Sequence, residues 1–271
     1  MVVNMHPTSP GFQAELVAAA LRAALAVDAR VPVFALSGLQ GTGKSTLAAQ
    51  MAALARSQGL HAVVLSLDDL YLPRWARQQL AAEVHPLLAT RGPPGTHDVA
   101  LGCALLDALR MGQSVLLPRF DKLADDRVPT GQLHAVDTPV DLVIVEGWCL
   151  GAPAEDDAAL AAPINALECD EDAHGVWRAY CNRALARDYP ALWQRFDQLW
   201  FLQPPGFEVV VDWRWQQEQA LAAAQGRPAS MDRAGIVRFV QHFERVSRQA
   251  LRTLPAMADH VVALDAARGI R

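Results

Sequence analysis

The sequence predicts an α/β fold, a mainly parallel sheet with helices on both faces, and three observations carry that expectation. The apolar run Val31-Pro32-Val33-Phe34-Ala35-Leu36 leads into a glycine-rich loop and then into the Ala/Leu-rich segment Thr46 to Ala55, the order strand, loop, helix. Two further apolar runs, His61 to Leu67 and Asp141 to Val145, are apolar enough to be buried on both faces, as strands of a parallel sheet are. Both end in acids, at Asp68-Asp69 and at Glu146, where an open α/β sheet places its ligand. At 271 residues the chain suits one domain, residues 1–271, with an N-terminal helix in 1–30 and a candidate lid in 203–226.

The N-terminal helix is expected to start with Ser9 as cap and Pro10 in its first turn, because Phe12, Leu16, Ala20, Ala23 and Val27 then recur at helical spacing. The loop after the first strand, Gly38-Leu39-Gln40-Gly41-Thr42-Gly43-Lys44-Ser45, fits the phosphate-binding pattern G-x-x-x-x-G-K-[ST] at every fixed position. Its glycines let successive N–H groups turn inward, and the helix behind it offers its positive end to the same anion. A nucleoside triphosphate is therefore expected on Gly38 to Thr46, with Lys44 on the β- and γ-phosphates and the Ser45 hydroxyl on Mg²⁺.

After the second strand, Asp68 or Asp69 has the position of a general base for an attacking hydroxyl; the alternative is that one of them caps the helix expected around Arg74 to Glu83. Arg91 to Asp98 is a loop by composition, with Thr96 or Asp98 as cap of a helix from Ala100 to Met111, and its lone His97 reads by itself as structural. Ser114 to Leu117 is a short strand delivering Pro118-Arg119-Phe120-Asp121-Lys122, a cluster of charge that also fits a solvated turn. Glu146-Gly147 closes its strand in the form of a Walker B element, the carboxylate binding Mg²⁺ directly or through water, or orienting a water or hydroxyl. Gly151 to Asp157 is a polar, small-residue loop and a candidate lid edge. Helices follow at Val176 to Ala186 and Ala191 to Asp197, a strand at Leu199 to Leu202, helices at Phe207 to Ala224 and Met231 to Leu251, and a last strand at His260 to Leu264.

Composition narrows the function classes. No apolar run approaches the roughly 20 residues of a membrane span, and the formal charge of −5 disfavours a nucleic-acid partner, leaving small-molecule substrates. The N-terminus lacks the basic and apolar succession of a secretory signal. Cys103, Cys149, Cys169 and Cys181 show no metal-ligand spacing, which suits reduced thiols in a cytoplasm. The only two lysines are Lys44 and Lys122, and one of them stands where the phosphate pattern demands an ammonium. Nothing in the sequence sets the oligomeric state.

Taken together, the motifs resemble the phosphoribulokinase and uridine kinase branch of P-loop kinases, and within it the D-glycerate 3-kinase-like group. The resemblance runs from about Val31 to Leu264 on the phosphate loop, Ser66 to Tyr71, Arg91 to Asp98, Pro118 to Lys122, Val145 to Trp148, Asn182, Trp213-Arg214 and Ala258 to Val262; Thr96-His97-Asp98 and Glu146-Gly147-Trp148 are its group-specific blocks. It implies a P-loop kinase fold with a small helical lid, ATP and Mg²⁺, Asp68 as catalytic acid-base residue and Arg214 as the lid arginine. It also implies D-glycerate as acceptor, with Asp68, Tyr71, Arg91, His97, Arg119 and Lys122 as its binding candidates. Gln216, Gln217 and Glu218 depart from the basic lid of uridine kinase relatives, leaving Arg214 as the cation there. The rival readings are a nucleoside or pantothenate acceptor, and a P-loop ATPase acting as a regulator or assembly factor.

Overall fold

The computed structural model describes residues 11–137, 139–225 and 231–271. In chain order the elements are α1 (Ala14–Leu25), β1 (Val33–Gly38), α2 (Lys44–Ser57), β2 (Ala62–Ser66), α3 (Arg74–Glu83), α4 (Val99–Arg110), β3 (Val115–Leu117), β4 (Phe120–Asp121), β5 (Asp126–Arg127), β6 (His134–Val136) and β7 (Leu142–Gly147). They continue with α5 (Ala166–Glu171), α6 (Val176–Arg187), α7 (Pro190–Trp193), β8 (Gln198–Gln203), α8 (Val209–Gln225), α9 (Arg233–Met257) and β9 (His260–Ala263). The expected Ser9-Pro10 start of the first helix lies outside the described residues; the helix begins at Ala14 with Gln13 as cap. Gly226, the end of the candidate lid region, also lies outside them.

A five-stranded parallel sheet in the order β2-β7-β1-β8-β9 organises the chain. Its central strands β1 and β7 are buried at every position because both faces are covered, and alternate residues go to opposite cores. Phe34, Leu36, Leu142, Ile144, Trp200 and Leu202 pack with α1 and α2 on one face. Val33, Ala35, Val143, Val145 and Phe201 pack with α4, α7 and α9 on the other. Each fully buried Leu or Ile in these two layers contributes about 1.5–3 kcal/mol by burial. The chain leaves β1 toward β2 on one side and reaches β8 from β7 on the other, so the sheet order reverses at the carboxyl ends of β1 and β7. β3 with β6 and β4 with β5 form two antiparallel ribbons outside this sheet.

At the opposite, amino-terminal edge one device is used three times. Asp141, Asp197 and Asp259 each precede a strand, each donates its N–H to a carbonyl of the neighbouring strand at 2.9 Å, and each accepts the N–H of that same residue on its carboxylate at 2.7 Å. The residues so paired are His61, Val33 and Leu199. The carboxylate thus completes a ladder that would otherwise end in an open backbone donor.

The segment Gly151 to Asp157, expected as a lid edge, is instead tied to the body. Asn182 exchanges two hydrogen bonds with the backbone of Glu155, at 2.8 Å each, and the Glu155 carboxylate takes ion pairs from Arg245 and Arg252 of α9. Gly151 and Ala152 are buried. The partners come from distant helices, which is why the local composition reads as a free loop.

Candidate active site

The phosphate loop stands at the carboxyl end of β1. Gly43 adopts φ +89 as the N-cap of α2, a conformation a residue with a Cβ rarely takes, and no side chain caps that helix. The first-turn N–H groups are therefore left for an anion. Thr42 Oγ1 donates to the Leu39 carbonyl at 2.9 Å and Lys44 Nζ to the same oxygen at 3.1 Å, closing the loop on itself. Burial pulls the Lys44 pKa down, against the pull of Glu146 and Asp68. The Gln40 amide is buried with no hydrogen-bond partner on either atom, and Ser45 is exposed on the first turn of α2. A cradle of open N–H groups, a buried ammonium and an unsatisfied amide is what a triphosphate needs, so these residues fit ATP.

Three carboxylates lie beside it. A one-turn helix, Leu67–Leu70, follows β2 and carries Asp68 and Asp69; neither caps α3, whose cap is Pro73. Asp68 accepts from Tyr71 Oη at 2.5 Å and pairs with Lys122 Nζ at 2.7 Å. Burial pushes its carboxyl up, but the Lys122 charge and the bonds from Lys122 and Tyr71 outweigh that and hold it well below the usual carboxylate range. Asp69 accepts the Phe120 N–H at 3.0 Å, and burial pushes its pKa up to about 6. Glu146, buried at the end of β7, accepts from Ser66 Oγ at 2.6 Å and adds to the field on Lys44 and Lys122.

Cations approach the Asp68–Tyr71 pair from separate segments. Arg91 pairs with Asp125 and lies over the Phe120 ring at 5.5 Å, and its charge acts on Tyr71, Lys122 and Arg214. Arg214 of α8 pairs with Glu218 at 3.3 Å; burial lowers its pKa, and Asp68 and Tyr71 are among the groups that act on it. Arg119, in contrast, is exposed, and its charge is felt by Asp121. Adjacent residues of an extended segment point to opposite sides, so burying Phe120 turns Arg119 outward. Of the two arginines expected to hold an acceptor, the structure brings Arg91 to the cluster and leaves Arg119 outside it.

His97 is buried with its ring 4.9 Å from that of Tyr71, and its Nδ1 lies 2.6 Å from Tyr189 Oη. Tyr189 Oη also accepts the Gly95 N–H at 3.1 Å, so one hydroxyl ties the His97 ring to the loop before it. Burial lowers the His97 pKa to about 4, so the ring is neutral near pH 7. Nε2 is buried and without a hydrogen-bond partner. Asp98 caps α4 through Leu101 N–H at 3.0 Å and pairs with Arg127 at 3.1 Å; Thr96 stays within its loop, bonded to Gly92 and Pro93.

Three contributors have no local signal in the sequence. Arg77, 1% exposed, bonds the carbonyls of Leu72, Ala89 and Asp125 and pairs with the Asp125 carboxylate at 2.9 Å, which fixes the ribbon that carries Phe120 and Lys122. Ser66 orients Glu146, and Tyr189 holds the His97 ring through Nδ1. Each acts on a residue far away in sequence, where no periodicity or motif spacing reaches.

No family model matches the chain. It is 31% identical over 226 residues to the uncharacterized kinase mug58 of Schizosaccharomyces pombe, covering 80% of this chain and 79% of that protein. It is 26% identical over 255 residues to the chloroplastic D-glycerate 3-kinase of Arabidopsis thaliana, covering 86% of this chain and 52% of the plant protein, so it spans about half the plant protein's length. Among solved structures, D-glycerate 3-kinase from Cryptococcus neoformans var. grubii superimposes with a TM-score of 0.75 at 24% identity, over 94% of this chain and 95% of that one, and shows the same fold. At 31% identity to a kinase over four-fifths of its length and with the fold of a D-glycerate 3-kinase, the chain belongs to the D-glycerate 3-kinase-like group of P-loop kinases, ATP-dependent phosphotransferases that act on an alcohol group.

Proposed function

We propose that the acceptor is D-glycerate, phosphorylated on its 3-hydroxyl at the expense of ATP·Mg²⁺. The observation that carries this reading is the gathering of Arg91, Lys122 and Arg214 around the Asp68–Tyr71 pair, a cationic wall beside an ionised carboxylate. A small hydroxy acid offers a carboxylate to the first and a hydroxyl to the second. The name of the plant relative supports the same choice.

In this reading the phosphate loop and Lys44 hold the nucleotide, and Ser45 and Glu146 hold Mg²⁺, which supplies charge neutralisation on the phosphates when bound. Asp68 accepts the proton of the attacking hydroxyl. A carboxylate held this far below the usual range is a weak base, so it takes the proton late, as the oxygen–phosphorus bond forms in a loose transition state. Lys44 and Arg214 stabilise charge on the transferred group, and Arg91 receives the acceptor carboxylate through a bidentate fork. The four cysteines are all free, consistent with work in a reducing cytoplasm.

The test is a panel of acceptors assayed for ADP formation, with Arg91→Met beside the parent. D-glycerate should release ADP, and the variant should raise its KM at least about tenfold while ATP KM stays within about twofold, the loss of a charge-assisted pair. ADP release with a nucleoside or pantothenate and none with D-glycerate would replace the acceptor and leave the kinase.

A further inference from the structure

We propose that Arg268 is a positioning residue of the nucleotide site, holding the crest of the phosphate loop against helix α8. It lies in the segment after β9 with φ +69, a left-handed conformation that a residue with a Cβ avoids. Such a conformation persists only where the surroundings over-determine it. Here they do. Arg268 Nε donates to the Gly41 carbonyl at 2.8 Å, across 227 residues of chain, and Nη1 donates to Gln216 Oε1 at 3.0 Å. The guanidinium lies over the Trp213 ring, 4.9 Å from its centroid.

Trp213 closes the arrangement from the other side. Its Nε1 donates to the Ala266 carbonyl at 2.9 Å, and it is packed so tightly against the loop that a Cβ on Gly41 would lie 2.7 Å from its own Cβ. The loop crest, the start of α8 and the segment after β9 are thereby one unit. Nothing in it uses the N–H groups at the start of α2, which stay open for phosphate.

The unit also fixes a distance that matters to transfer. Arg214 follows Trp213 directly and acts on Asp68 and Tyr71, so the residue that anchors α8 to the loop also sets Arg214 relative to Lys44. Burial alone lowers the Arg268 pKa, with no carboxylate acting on it, so its charge is left to the Gly41 and Gln216 oxygens and the Trp213 face. The inference rests on the phosphate loop as the nucleotide site and is independent of which acceptor is used.

The experiment is titration calorimetry of Mg·ADP with no acceptor present, on Arg268→Gly, Arg268→Lys and Gln216→Ala, with melting temperatures alongside. Glycine takes φ +69 without strain, so Arg268→Gly removes the side-chain contacts without distorting the backbone, and its dissociation constant for Mg·ADP should rise at least about tenfold. Arg268→Lys keeps a donor for Gly41 and should recover part of that loss. Gln216→Ala, which leaves the backbone strain in place, should raise the constant about threefold. Binding within about twofold of the parent in Arg268→Gly would overturn the proposal, and should that variant fail to fold, unchanged binding in Gln216→Ala would do so. Absence of activity toward D-glycerate would leave these titrations untouched.

Discussion

The two edges of the central sheet carry acids in similar sequence settings and use them in opposite ways. At the amino-terminal edge, Asp141, Asp197 and Asp259 each have a backbone donor of the next strand within 2.7 Å and complete the ladder. At the carboxyl-terminal edge, Asp68 and Glu146 accept only from side chains, Tyr71, Lys122 and Ser66, and Asp69 alone takes a backbone N–H, from outside the sheet. An aspartate beside an apolar strand is thus structural or chemical according to which end of a parallel strand it occupies. The reason is that side-chain partners can yield to a substrate and ladder partners cannot.

The largest expected effect that tests this contrast is on turnover. Asp68→Asn should lower kcat by about 10²–10⁴-fold, the size of a lost general base, with ATP affinity little changed. Asp69→Asn should do less, and steady-state kinetics showing the reverse order would move the base by one residue.

Asp69 offers a second, smaller effect, in stability. Its carboxyl titrates near 6 in the folded protein and near 3.8 when unfolded, so the native state binds that proton more tightly. The stability it contributes is therefore complete below about pH 4 and is lost as pH rises through about 6. Asp69→Asn should remove that loss, and the melting temperature of the variant relative to the parent should climb between about pH 4 and 6 and then level off. A difference that is flat with pH would show that burial does not hold the proton on this carboxyl.

The smallest effect belongs to the structural edge. Asp141→Ala should cost about 1 kcal/mol, the net worth of one hydrogen bond. For a chain of this size that is about 2–4 °C in melting temperature, with kcat unchanged. A large loss of turnover in this variant would break the division between the edges.

Much of this was legible in the sequence, and the limit has a physical form. The phosphate loop, the strands that lead to Asp68 and Glu146, and the Asp98 cap depend on residues within a few positions of one another, where spacing and periodicity carry the information. Arg91 and Arg119 could not be told apart, because the choice depends on which side of the segment buries Phe120. Arg77, Tyr189 and Arg268 act across the fold, and the Gly151 to Asp157 segment is held by arginines of α9. Contacts of that kind exist only once the sheet has brought the segments together.

The sheet order also bears on when the molecule becomes itself during synthesis. β1, which carries the phosphate loop at its end, pairs with β7 through Val33 and Val143 and with β8 through Phe34 and Gln198. Both neighbours are made long after it. Parallel pairings of such high sequence separation form slowly, because the intervening chain must be closed before any contact rewards it. Until β8 has left the ribosome, the loop and its strand have one open flank, an apolar strand edge that invites other strands. The emerging half of this chain is therefore the stage at which a chaperone has most to protect.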